Sequence, residues 1–142
     1  MNPTTQDPLH DAQLIKQSIS KPKNFNQLID IVSHRSNAQR QNIVQAYYNN
    51  YNISIFDDLK SELSGNFKEA VIALFYTPID YDCYQLYKAK KGLGTNEDTL
   101  IEIIATRSNN SIYAIKARYR QMYGKDLLNA VQSDTSGFFD KF

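Results

Sequence analysis

The sequence is poor in the residues on which several kinds of chemistry depend. A single cysteine, Cys83, rules out an internal disulfide framework. The two histidines, His10 and His34, stand alone with no second His or Cys at metal-ligand spacing, which argues against a zinc site. Neither sign of charge dominates: sixteen Lys and Arg face fifteen Asp and Glu, so no chain-wide basic field draws in nucleic acid. Long apolar runs are missing too, falling well short of the roughly 20 residues needed to span a bilayer. The opening MNPTTQDPLH lacks the apolar stretch of a secretory signal. A cytosolic protein that meets any membrane from its surface is therefore expected. With no His arranged beside Cys83 and no convergent carboxylates, a non-enzyme is expected as well.

What is present is globular: 142 residues, of which 42% are hydrophobic and 22% charged. An internal repeat organises them. HRSNAQRQNIVQAYYNNYNISIFDDLKSELSGNF, from His34, lines up with TRSNNSIYAIKARYRQMYGKDLLNAVQSDTSGFF, from Thr106, at a constant offset of 72. Arg35, Ser36 and Asn37 fall on Arg107, Ser108 and Asn109, and Tyr47, Tyr51, Ser64 and Gly65 on Tyr119, Tyr123, Ser136 and Gly137. Carried upstream without gaps, the same offset sets Leu14, Leu28 and Ile31 on Leu86, Leu100 and Ile103. Apolar register and polar punctuation repeat together, as they do when modules of one design share a fold.

Each module reads as helical. Leu100, Ile101, Ile104 and Ala105 are spaced for one helix face, as are Ile112, Ile115, Tyr119 and Tyr123, and no segment alternates with period two. Thr95 with Asp98 makes a capping-box pattern, and Ser36 or Asn37 and Ser108 or Asn109 suit the next helix start. Asn52 and Gly124, at equivalent positions, suit a left-handed C-terminal cap, and Pro78 interrupts the chain between modules. About five short helices per module are expected. The ten tyrosines fall mostly at core spacing without an interleaved basic stripe, which favours packing over base stacking.

One loop invites a chemical reading. KKGLGTNED, from Lys90, holds a Gly-x-Gly at the start of a helix, yet the stretch before it is helical rather than a strand and no third glycine follows, so it is not a dinucleotide fingerprint. Nor does it have the spacing of a Walker A loop. A plain glycine turn between helices accounts for the glycines alone.

KGLGTNEDTLIEIIATRSN, followed at a fixed interval by SDTSGFF, resembles the annexin repeat. The resemblance covers nearly the whole chain: a tail at 1–8, one repeat at 9–77, and a second at 78–142 cut short in its last helix. It implies an all-α fold in which each repeat is a right-handed superhelix of five helices. It also implies calcium-dependent, reversible binding to acidic phospholipid surfaces. By resemblance, the calcium ligands are the main-chain oxygens of Lys90, Gly92 and Gly94 and the carboxylate of Asp134, with secondary sites at Thr95 with Glu97 and at Thr135 with Asp140. Glycines let carbonyls turn outward, and about five oxygens of the six to eight that Ca²⁺ prefers leave places for water or a lipid phosphate. Lys88, Lys90 and Lys91 add attraction to anionic lipid. In the first repeat Glu62 stands where Asp134 stands, but Ser20 and Pro22 replace the glycines and Lys21 and Lys23 flank them, so no calcium is expected there. Other expectations are self-association through exposed apolar faces and, as the alternative function, a calcium-independent protein-interaction scaffold.

Overall fold

The computed structural model describes residues 7–91 and 97–127, and the chain divides into two compact units, Met1–Thr77 and Pro78–Phe142. Every element among the described residues is helical. Unit 1 contains α1 (Pro8–Ile19), α2 (Phe25–Ser33), α3 (Asn37–Tyr51), α4 (Ile55–Glu62) and α5 (Gly65–Phe75). The described part of unit 2 contains α6 (Pro78–Lys91), α7 (Glu97–Thr106) and α8 (Asn109–Tyr123).

Short helices have many ends for their length, and each end leaves backbone groups without an intrahelical partner. Serine resolves the ambiguous starts. Ser36 accepts from the Gln39 N–H while Gln39 reaches back to the Ser36 N–H, a full capping box, and Ser108 accepts from the Ser111 N–H. α1 is capped by Asp7, with Pro8 at its first position, where the missing N–H costs nothing. Asn52 and Gly124 end α3 and α8 at φ 59° and 68°, the left-handed region where Gly and Asn fit without the usual Cβ penalty. The end of α5 is closed by side chains of α3: Arg40 Nε, Gln41 Nε2 and Asn37 Nδ2 donate to the carbonyls of Leu74, Phe75 and Tyr76 at 2.5, 2.8 and 3.2 Å. This explains why α3 carries so much polar surface.

α1 packs against α2 and α3, and α3 in turn against α4 and α5; in unit 2, α6 packs against α7 and α8. The repeated tyrosines are core residues in both units, with Tyr47 and Tyr119 fully buried. Ile115 is buried beside Tyr119, and Ile112 and Tyr123 pack on their cluster, so the expected face of α8 is the observed one.

Two expectations are corrected. Among the described side chains of α7, Ile103 is buried and Ile104 partly so, whereas Ile101 is 38% exposed and Ala105 is exposed; of the face expected from Leu100, Ile101, Ile104 and Ala105, the Leu100 side chain lies outside those described, and Ile101 and Ala105 turn outward. The gapless register also fails upstream. Asp11, Ala12 and Ile15 of α1 are buried, and their counterparts in α6 are Asp82, Cys83 and Leu86, an offset of 71; Ile15 rather than Leu14 matches Leu86. One residue more separates Leu86 from Ile103 than separates Ile15 from Ile31. A length change between two helices shifts the first helix's register and leaves everything downstream untouched.

The polar interior of unit 1 is a linked set. Lys16 Nζ donates to Asp58 Oδ2 at 2.8 Å, the Tyr47 hydroxyl donates to the same oxygen, and the ammonium lies 5.4 Å from the Tyr51 ring centroid. Burial opposes ionisation of Asp58, but the hydrogen bonds from Lys16 and Tyr47 outweigh it and hold the carboxyl below its ordinary value. Burial and the same bond push the Tyr47 hydroxyl well above its usual range.

Because the folded pKa of Asp58 is depressed, its contribution to stability is present above the unfolded value of about 3.9 and is lost as pH falls through the folded one. Urea denaturation at descending pH is expected to show this loss, and Asp58→Ala is expected to remove it together with about 2 kcal/mol at neutral pH, since Tyr47 is left unpaired. Gly124→Ala is expected to cost about 1 kcal/mol in the same assay, because alanine must then hold a positive φ.

Candidate functional site

In unit 2 the candidate loop joins the end of α6 to the start of α7. Lys90 lies in the last turn of α6 and Glu97 opens α7. Gly92, Gly94 and Thr95, like Asp134, Thr135 and Asp140, lie outside the described residues. The last four carbonyls of an α-helix, which include that of Lys90, have no intrahelical donor, and the helix dipole is negative there.

The frame holding this helix pair is built from two guanidinium forks. Arg107, in the turn between α7 and α8, donates from Nε and Nη2 to both oxygens of Asp82 on α6, each at 2.7 Å. Arg118 of α8 grips Asp80 in the same way at 2.6 and 3.1 Å. These bonds raise the pKa of both arginines against the opposing effect of burial. Thr106 Oγ1 accepts from Arg107 Nη1 at 2.6 Å, which fixes the fork at the end of α7. The motif beginning at Arg107 thus ties α7 to α6 from the end of α7 away from the loop. Nearby, the Lys88 ammonium lies 5.1 Å from the Tyr84 ring centroid. Burial pushes the Cys83 thiol up to about 12, so it is a packing residue rather than a nucleophile.

Unit 1 repeats the fork, with Arg35 Nε and Nη2 on Asp11 at 2.7 and 3.0 Å, but its loop is closed. The last-turn carbonyls of α1 are taken: Lys16 O accepts the Ser20 hydroxyl at 2.6 Å, Gln17 O the Ser20 N–H at 3.3 Å and Ser18 O the Asn24 N–H at 2.8 Å. Lys23 Nζ lies 2.7 Å from the main-chain oxygen of Glu62, to which it donates, and 3.2 Å from the Glu62 carboxylate. The depression beside this loop is lined by Gln17, Ser20, Lys21, Pro22, Lys23, Asn24 and Gln27, without a carboxylate among them. With the corrected register the segment is also one residue shorter than its counterpart. These residues do not fit calcium. Among the described residues no cluster of His, Cys, Asp or Glu could hold a metal ion, and no helix is long and apolar enough to cross a membrane.

The annexin family model matches this chain twice, over residues 10–74 and 81–142. The chain belongs to the annexin family. It is 44% identical over 135 residues to annexin A7 of Xenopus laevis, covering 95% of this chain and 26% of that protein. Among solved structures, annexin III superposes with a TM-score of 0.83 at 42% identity, covering 96% of this chain and 43% of that one. A calcium-bound annexin (Sm)1 superposes at a TM-score of 0.68 and 32% identity, covering 91% of this chain and 39% of the other. The chain spans about a quarter of the length of the first of these relatives. Sequence reasoning did not find the carboxylate partners of Arg35 and Arg107, because Asp11 and Asp82 do not align at the offset of 72.

Lysine keeps the charge of the fork but loses its two parallel bonds. Arg107→Lys is expected to speed hydrogen exchange at the described α7 amides roughly tenfold, the equivalent of about 1.4 kcal/mol of local opening, while leaving unit 1 unchanged.

Proposed function

We propose that this annexin binds acidic phospholipid surfaces reversibly and in a calcium-dependent manner, and that unit 2 carries the site. The observation that supports the reading most directly is the annexin match over both units, with Lys91-Gly92-Leu93-Gly94-Thr95 intact in one of them and Asp134 forty residues beyond Gly94. In this reading the main-chain oxygens of Lys90, Gly92 and Gly94 and the Asp134 carboxylate hold Ca²⁺, which supplies a Lewis-acid bridge to lipid phosphate when bound. Thr95 with Glu97 and Thr135 with Asp140 are the secondary sites.

The residues explain the coupling of ion and membrane. Glycine carbonyls carry no net charge, so Asp134 neutralises only half of the ion's charge. The incomplete shell is finished by a phosphate oxygen, and each of the two binding events tightens the other. Lys88, Lys90 and Lys91 add about 1 kcal/mol each where they approach an anionic surface, an effect that salt screens. In this reading the protein works at membranes from the cytoplasmic side, as a peripheral and reversible ligand.

Co-sedimentation with phosphatidylserine vesicles tests this. Wild type is expected in the pellet with calcium and in the supernatant with excess chelator. Asp134→Ala is expected to stay in solution under both conditions, and Glu62→Ala to behave like wild type. Pelleting of Asp134→Ala with calcium would overturn the site assignment.

A further inference from the structure

We propose that in unit 1 the Lys23 ammonium is a built-in cation that takes the place of calcium and keeps divalent ions out. The proposal extends the reading of the unit 2 site, since Glu62 is identified as the counterpart of Asp134 by their separation of 72 residues. The two pieces that a calcium ion would bridge are the segment between the first two helices and the end of the fourth, where Glu62 is the last residue of α4. In unit 1 a lysine from the first piece spans that gap. Its Nζ donates at 2.7 Å to the main-chain oxygen of Glu62 and lies 3.2 Å from the same residue's carboxylate. An ammonium has three donors and no acceptor, so it can satisfy a carbonyl and a carboxylate together, as a metal ion does.

Three further features agree. Thr95 stands where Lys23 stands when unit 2 is aligned on α7, so the charge belongs to unit 1 alone. The last-turn carbonyls of α1 accept from Ser20 and Asn24 rather than facing outward. The depression beside the segment is lined by Lys21 and Lys23 with no carboxylate, so its field repels a cation. Of these, the ammonium is the part that excludes the ion, because it already pairs with the Glu62 carboxylate. Glu62 is half exposed, and once released it is free to ligate.

The test is residue-resolved NMR of the full chain during titration with terbium ions, read as paramagnetic broadening at Glu62 and at Asp134 separately. Wild type, Lys23→Ala and Lys23→Arg are compared, with circular dichroism verifying that each is folded. In wild type, Glu62 is expected to stay sharp at terbium concentrations that broaden Asp134. In Lys23→Ala it is expected to broaden at terbium concentrations at least about tenfold lower than in wild type, and in Lys23→Arg, where the charge is kept, to behave as in wild type. Broadening of Glu62 in wild type together with Asp134, or identical curves for wild type and Lys23→Ala, would overturn the proposal. Silence at Asp134 in all three proteins would overturn the unit 2 site instead, and the Glu62 comparison would still be decided on its own.

Discussion

A guanidinium laid flat against a carboxylate is the contact on which each unit of this annexin is built. Arg35 on Asp11 and Arg107 on Asp82 tie the turn that follows the second helix to the first helix through two parallel bonds. Asp11 and Asp82 are nearly buried, and a buried carboxylate is tolerated only with its partner in place. The pair therefore specifies one arrangement of three helices. The loop between the first two helices inherits its position from that arrangement, since both its ends are anchored by helices the fork holds together. Arg118 on Asp80 adds a second such tie in unit 2, where α8 meets α6.

Around this shared frame the two units have exchanged chemistry in a coordinated way. In unit 1 the Lys16 ammonium lies beside the Tyr51 ring and pairs with Asp58. At the position of Lys16 unit 2 has Tyr87, and its ring stacks on Tyr123, the counterpart of Tyr51, at a centroid distance of 4.0 Å and an angle of 1°. The position of Asp58 is Ala130. The sequence thus lacks both members of the Lys16–Asp58 pair at the matching positions of unit 2, where a ring contact is found instead. Among the described residues the outcome is an ion pair beside the ring in unit 1 and a ring stack in the same place in unit 2.

Much of this was legible in the residues. The repeat of Arg-Ser-Asn, the tyrosines and Ser-Gly marks two helical modules, and the equivalence of Asn52 with Gly124 locates both C-terminal caps from sequence alone. The misreadings have specific physical origins. Periodicity in α7 offered several overlapping apolar faces among Leu100, Ile101, Ile103 and Ile104, and only packing against α6 decides that Ile103 turns inward. A gapless alignment was dominated by the long stretch after residue 34, where it holds, and hid a one-residue length change before it. That slip concealed both Arg–Asp forks, whose acids sit on the far side of the change. The Lys23 contact was anticipated only as positive charge near a lost site; that it reaches Glu62, 39 residues away, is a matter of tertiary geometry that spacing does not encode.

The two loops differ in sequence in a way that bears on why one chain carries both. A lysine and a glutamate in contact are neutral as a pair, so in unit 1 the Glu62 carboxylate is already met from within the protein. A dication held by neutral carbonyls and one aspartate carries a residual positive charge, which must be met from outside the protein. On the proposed ligand set, that residual charge couples calcium to an anionic surface. Adding a second carboxylate to the unit 2 loop would tighten its hold on calcium while removing the charge that draws in phosphate. On that ligand set, weak binding of the ion alone would be a condition of binding it together with a membrane, and a unit whose glutamate is met by its own lysine would stand outside that coupling however closely its helices resemble those of its neighbour.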